Sequence, residues 1–300
     1  MGTLYVVATP IGNLEDMSAR AIRILGEVAV IAAEDTRHSR RLLTHFAIRT
    51  PLLSYHEHNQ RQRRDRLLEA LTNGDVALIT DAGTPAISDP GVDLVREALA
   101  AGYQVSPIPG PSALSAAISA SGLVEGTFTS LGFLPRESGE RKRTIARGAA
   151  SGTPLVIFES AQRLSRTLAE LLGALGDRRA VVLREMTKVH EEVKPGTLGS
   201  LAEWAAASAP RGEVVIVVDG AAPRPATDDD IQAVIGAMRR SGLSVSQTAR
   251  EAAAITGLSR SVLYEMVIAT DARKSVGLES ELPAPDEDAL EQPFRDKERP

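Results

Sequence analysis

Over its first 220 residues the chain alternates short runs of β-branched and other apolar residues with longer amphipathic stretches. A strand of four to six residues followed by a helix of ten or more returns the chain to the same edge of a sheet. The alternation therefore confines it to an α/β architecture with mainly parallel sheets. Strand-like runs occupy residues 4–8, 28–33, 52–55, 76–80, 105–108, 128–133, 155–159, 180–184 and 213–218. Helical patterns fill intervening stretches, among them residues 61–71, 92–101 and 163–175. Residues 109–126 read as a helix and then a joint at Gly122 and Gly126, which places a boundary between two α/β lobes, residues 1–120 and 121–220. A cleft between two lobes is a preferred ligand site.

A Pro/Ala linker over residues 220–226 separates this body from three further helical patterns, residues 228–240, 246–256 and 259–269. Thr227 is placed to cap the first, with Asp228, Asp229 and Asp230 favourable in its opening turn. Gly257 sits where a helix-turn-helix would turn, so residues 227–275 read as a helix-turn-helix-like domain. A small docking bundle that binds no nucleic acid fits the same pattern. From residue 276 the chain is acidic, Pro-rich and aperiodic, the composition of a disordered tail.

That tail decides how the charge is read. The whole chain carries a net charge of −5, and the acidic excess after residue 278 accounts for all of it, leaving a neutral body. Within the body, basic residues cluster at 61–66 and 136–147. Such clusters can hold phosphates, although a solvated helix face has the same composition. No apolar run approaches the ~20 residues that a membrane helix needs. The first strand-like run begins at Thr3, which leaves no room for a signal peptide. With no cysteine, neither disulfides nor thiolate metal sites are available, and a cytoplasmic location is expected.

Several familiar sites are missing. None of the 24 glycines lies two positions from another, so G-x-G-x-x-G is absent. No glycine precedes lysine, which removes the Walker A loop, and G-x-S-x-G is absent too. His56-Glu-His58 falls short of the three or four ligands of a zinc site, and no metal is expected.

Four loops do stand out, each after a strand-like run, where open α/β sheets bind ligands. They are Thr9-Pro-Ile-Gly-Asn-Leu14, Ala33-Glu-Asp-Thr-Arg-His-Ser39, Thr80-Asp-Ala-Gly-Thr-Pro-Ala-Ile-Ser-Asp-Pro-Gly91 and Pro107-Ile-Pro-Gly-Pro-Ser-Ala113. Proline fixes φ and glycine permits close backbone approach, so such loops present rigid N–H and C=O groups to a small ligand.

With these loops, the segments at residues 55–59, 132–135, 184–188 and 212–217 resemble, in the same order, the ribosomal RNA small subunit methyltransferase I family of the tetrapyrrole methylase superfamily. The resemblance covers about residues 1–220 and extends to the helical unit. It implies a two-lobed tetrapyrrole-methylase-like (class III methyltransferase) fold and a homodimer that binds S-adenosylmethionine between the lobes. It also implies methyl transfer to the 2′-oxygen of a cytidine in the decoding region of 16S rRNA in the small ribosomal subunit, with no membrane partner.

Position in the motifs places the cofactor against Thr9, Pro10, Gly83, Thr84, Ile87, Ser112 and Ala113, with Phe158 and Met186 as walls for the adenine. A ribose hydroxyl is a weak nucleophile and gains from a general base. Candidates on the loops are Glu34 and Asp35, His56 and His58, and the Glu185/Lys188 pair. Loop placement makes Glu34 or Asp35 the expected base, with Arg37 and Lys188 orienting the RNA backbone, while helix capping is the competing reading of Glu34 and Asp35. Arg136, Arg141, Lys142 and Arg143 form the expected RNA-phosphate patch. Two other functions share parts of this pattern: a small-molecule methylase acting on a tetrapyrrole or corrinoid, and a non-enzymatic nucleic-acid-binding regulator built on the helical unit.

Overall fold

The computed structural model describes residues 2–56, 58–221 and 227–277, which fall into two compact units, Met1–Ala222 and Pro223–Pro300. The first unit opens with a five-stranded parallel sheet. Its strands are β1 (Thr3–Val7), β2 (Val30–Ala33), β3 (Leu52–Ser54), β4 (Val76–Ile79) and β5 (Gln104–Ile108), ordered β3-β2-β4-β1-β5. Helices α1 (Ala19–Glu27) and α2 (Thr36–His45) cover one face, and α3 (Gln60–Asn73) and α4 (Val92–Ala100) cover the other.

Alternate residues of a strand point to opposite faces, so a sheet covered twice needs apolar residues at every position. In β4 all four residues are buried: Ala77 and Ile79 pack with α1 and α2, Val76 and Leu78 with α3 and α4. The order also leaves the carboxyl ends of β1, β2 and β4 side by side, where three of the four expected ligand loops begin.

The second lobe is a mixed sheet, not a parallel one. Its strands are β6 (Thr129–Phe133), β7 (Leu155–Ser160), β8 (Arg179–Arg184), β9 (Glu192–Thr197) and β10 (Glu213–Val218), ordered β6-β7-β10-β8-β9. Only β6 and β7 pair in parallel; β10 runs antiparallel to both β7 and β8, and β9 antiparallel to β8. The mainly parallel expectation therefore holds for the first sheet only. Strand β9 gave no strand signal in the sequence. Its residues Glu-Val-Lys-Pro-Gly-Thr are mostly polar and include Pro195, which an edge strand tolerates because one side of it needs no hydrogen-bond donors.

Helices α6 (Ser138–Ala150), α7 (Ala161–Leu175) and α8 (Leu198–Ser208) cover one face of this sheet. The other face rests on α5 (Ala113–Ser121), whose Ala117 is buried against Val156, Phe158, Val181 and Val215. Helix α5 therefore packs with the second sheet, and the crossing between lobes comes right after β5, earlier than the joint at Gly122.

In the second unit, α9 (Asp228–Arg240), α10 (Val245–Thr256) and α11 (Arg260–Gly277) bury Ile231, Ile235, Ala249, Leu263 and Val267 together. Thr227 caps α9 by accepting from the Asp230 N–H, and Ser244 caps α10 in the same way through Gln247. Gly257 ends α10 at φ +72°, a left-handed turn that favours glycine. The tail expected from residue 276 lies outside the described residues except for the last two residues of α11, as does most of the linker before α9. No helix among the described residues is long and apolar enough to cross a membrane.

Candidate active site

Three of the loops expected to hold a ligand are tied into one frame at the carboxyl ends of β1, β4 and β5. Thr9 N–H donates to the Gly83 carbonyl at 2.9 Å and Gly83 N–H returns to the Thr9 carbonyl at 3.0 Å. The buried Thr9 hydroxyl donates to the Thr80 carbonyl at 3.1 Å. Thr84 Oγ1 donates to the Pro111 carbonyl at 3.1 Å, joining the third loop. Gly83 itself lies at φ +85°, a conformation that a side chain would strain.

The frame walls one side of a cavity of about 290 Å³. Gly83, Thr84, Ile87, Ser112 and Ala113 line it from the first lobe and α5 side, and Phe158 and Met186 from the second sheet. Phe133 reaches over Phe158 with ring centroids 5.5 Å apart, so the two rings form an apolar wall. Thr9 and Pro10 do not reach the cavity; their neighbour Ile11 does. The work of Thr9 is to hold Gly83 in place.

Carboxylates line the rest. Glu34 reaches the cavity, and its Oε2 accepts from Thr80 Oγ1 at 2.7 Å and from Asp81 N–H at 3.5 Å. Asp81 Oδ1 accepts from the Asp35 N–H at 3.1 Å, which links the β2 and β4 loops. Burial first, and then the charge of Glu34, push the Asp81 carboxyl above its ordinary range. The same two causes, reinforced by Asp81 and opposed by a hydrogen bond from Thr80, raise Asp89 from 3.8 to about 6. From the second lobe comes Glu159, buried and fully occupied: it accepts from Thr167 Oγ1 and the Ser160 N–H, each at 2.8 Å, and pairs with Arg163 at 3.3 Å.

The remaining candidates are placed elsewhere. Asp35 caps α2, accepting the Arg37 N–H at 2.8 Å, and its carboxylate pairs with the Arg37 guanidinium at 3.2 Å. Those bonds to Arg37 hold Asp35 down at about 2, which makes it a poor base at neutral pH. Arg37 projects from the surface and does not line the cavity. Lys188 binds Glu185 Oε1 and Glu213 Oε2, both at 3.0 Å. Burial alone would lower the Lys188 ammonium, but these hydrogen bonds outweigh it and raise it. The ion cluster braces the strained turn where Glu185 and Thr187 adopt φ of +49° and +66° on either side of Met186.

Arg141 departs furthest from the expected phosphate patch. Its side chain is buried, with Nε and Nη2 on the two oxygens of Glu170 at 2.5 and 2.7 Å and Nη1 on the carbonyls of Pro135 and Arg136. It is a strut between α6, α7 and the β6 loop and cannot reach an RNA phosphate. Arg136, Lys142 and Arg143 stay exposed. The sequence reading missed Asp89, Phe133, Glu159 and Glu213 as wall residues. Asp89 lies inside a loop already singled out, while the other three become neighbours only through the pairing of the second sheet.

A parallel sheet and a mixed sheet, with a cavity walled by both and framed by Pro/Gly loops, define the tetrapyrrole methylase class. The family model Tetrapyrrole (Corrin/Porphyrin) Methylases matches residues 3–202, and the RsmI C-terminal HTH domain matches residues 225–270. Among solved structures, a cobalamin biosynthetic enzyme, cobalt precorrin-4 methyltransferase, is similar with a TM-score of 0.55 at 17% identity, over 72% of this chain and 94% of that one. Ribosomal RNA small subunit methyltransferase I of Xylella fastidiosa is 46% identical over 88% of this chain and 98% of its own length. The Pseudomonas aeruginosa protein of the same name is 44% identical over 89% and 97%. The chain belongs to the ribosomal RNA small subunit methyltransferase I family.

Proposed function

We propose that this protein uses S-adenosylmethionine to methylate the 2′-oxygen of a cytidine in the decoding region of 16S rRNA. The observation that carries the reading is the composition of the cavity wall. Phe133, Phe158, Leu114 and Met186 offer apolar surface to an adenine, and Asp81, Glu34 and Glu213 offer negative charge to a sulfonium and an ammonium. The backbone at Gly83 and Thr84 is rigid and open to close approach. The residues present therefore fit the cofactor. When bound, it supplies a methyl group on a cationic sulfur, ready for in-line displacement.

The chain's own contribution is position. Holding two reactants in line is worth up to about 7–11 kcal/mol. The hydrogen-bonded frame of Thr9, Gly83, Thr84 and Pro111 is stiff enough to hold one of them. Arg136, Lys142 and Arg143, exposed on and before α6, are available to RNA phosphates. The homodimer and the cytoplasmic location implied by the family resemblance belong to the same reading, and sedimentation of the full chain tests the first.

Incubation with methyl-labelled S-adenosylmethionine and small ribosomal subunits lacking the modification tests the reaction, with naked 16S rRNA in parallel. Label in 2′-O-methylcytidine is the expected result. Label in neither RNA, from protein that still binds the cofactor, would overturn the reading in favour of a small-molecule acceptor.

A further inference from the structure

Asp89 stands where two spaces adjoin. It lines the 290 Å³ cavity and, with Ser88, also lines a neighbouring open groove of about 460 Å³ bounded by Gln60, Ala86 and Pro90. A methyl donor held in the cavity and an acceptor entering by the groove would meet at this residue. Among the described residues, no lysine or arginine lines either space.

The backbone that presents Asp89 is strained. Ala86 and Ser88 lie at φ +68° and +66°, and Gly91 at +139°. Non-glycine residues rarely adopt the left-handed region, and such strain collects where a side chain must be aimed. At Gly91 a methyl group would stand 2.7 Å from Leu78 Cδ2, so the turn closes tightly under the loop.

Charged neighbours reach Asp89 from several elements. Glu34 follows β2, and Asp81 follows β4. Asp93 of α4 lines the same groove, and Glu159 and Glu213 face the cavity from the second sheet. The Thr80 hydroxyl lies 2.7 Å from Glu34 Oε2 and is also within hydrogen-bonding reach of the Asp89 carboxylate, so it stands between the two acids. Both acids line the cavity, but only Asp89 also faces the open groove.

Building on the function proposed above, we infer that Asp89 is the catalytic base that accepts the proton of the ribose hydroxyl as its oxygen takes the methyl group. The oxygen–carbon bond forms while the carbon–sulfur bond breaks and its electron pair stays on sulfur. The hydroxyl proton passes to an Asp89 oxygen and then leaves through the open groove to water. Burial and the charges of Glu34 and Asp81 raise Asp89 to about 6, so it is ionised at pH 7.5 and yet far more basic than Asp35 at about 2. A base matched to the working pH is the more effective one.

The test uses the full-length enzyme, Asp89→Asn and Asp89→Glu, with small ribosomal subunits as acceptor. Single-turnover methylation by Asp89→Asn should fall by ~10²–10⁴-fold, the usual contribution of a general base, with cofactor affinity measured by calorimetry little changed. The wild-type rate should rise with pH to a plateau above the Asp89 value, and the substituted enzyme should lack that rise. Asp89→Glu, which keeps the carboxylate, should recover part of the rate and carries the test if Asp89→Asn folds poorly. Carbon NMR of aspartate carboxyls, read without cofactor or RNA, should show one group titrating near pH 6 that Asp89→Asn removes. A wild-type rate and pH profile in Asp89→Asn, or no such titration, would overturn the base and leave the function standing. Wild-type enzyme that labels neither subunit nor RNA would overturn both.

Discussion

Replacing Arg141 by methionine should separate a structural strut from a phosphate contact. The methionine roughly fills the buried volume but removes the guanidinium from Glu170, Pro135 and Arg136. Hydrogen bonds from Arg141, then from Arg166, hold Glu170 down from 4.5 to about 2. At about 1.4 kcal/mol per tenfold change in proton affinity, that depression corresponds to roughly 3 kcal/mol at neutral pH. Arg166 keeps part of it, because it still pairs with Glu170 at 3.1 Å. Two carbonyls also lose a donor, at about 0.5–1.5 kcal/mol each. Together these losses fall in the range of about 3–5 kcal/mol seen when one partner of a buried pair is removed. For a unit of this size the melting temperature should drop by on the order of 10 °C at pH 7.5.

The pH dependence has a definite sign. Glu170 is depressed in the folded state, so its contribution is present above 4.5 and fades as pH falls toward about 2. The gap between wild type and Arg141→Met, followed by thermal melts read by circular dichroism, should be widest above pH 5 and should shrink below it. A variant that melts within about 2 °C of wild type at pH 7.5 while losing RNA affinity would refute the reasoning and return Arg141 to the RNA surface.

Gly91→Ala should lower both stability and methylation, because the left-handed φ and the 2.7 Å approach to Leu78 force the Asp89 loop to move. A loss of about 1–3 kcal/mol by denaturant titration is expected. Lys142→Gln with Arg143→Gln should leave the melting temperature nearly unchanged. It should flatten the dependence of log K for RNA on log salt by about one to two, one step for each phosphate contact removed.

The alternation of strand-like runs and helical patterns made the first lobe legible in sequence, because every strand buried on both faces must be apolar throughout. The second lobe was less so. Edge strand β9 buries little, and its Lys194 and Pro195 break any apolar pattern. Strand direction was invisible too: whether β8 and β10 run parallel or antiparallel depends on what each pairs with, and burial on the two faces is the same either way. Among the site residues, Gly83, Thr84, Ile87, Ser112, Ala113, Phe158 and Met186 came from motif position and line the cavity.

Sequence by itself determined the α/β class, the family and the loops that frame the cavity, because turn-forming Pro and Gly and the period of hydrophobicity are local properties. Tertiary structure alone decided what each charge meets. Arg141 and Lys142 are adjacent in sequence, yet one is buried on Glu170 and the other is exposed. Asp35 and Asp89 are the same side chain, held near 2 by Arg37 and raised to about 6 by burial beside Glu34. A carboxyl's proton affinity is set by the dielectric and the charges within a few ångströms, and the fold brings those from strands far apart in the chain.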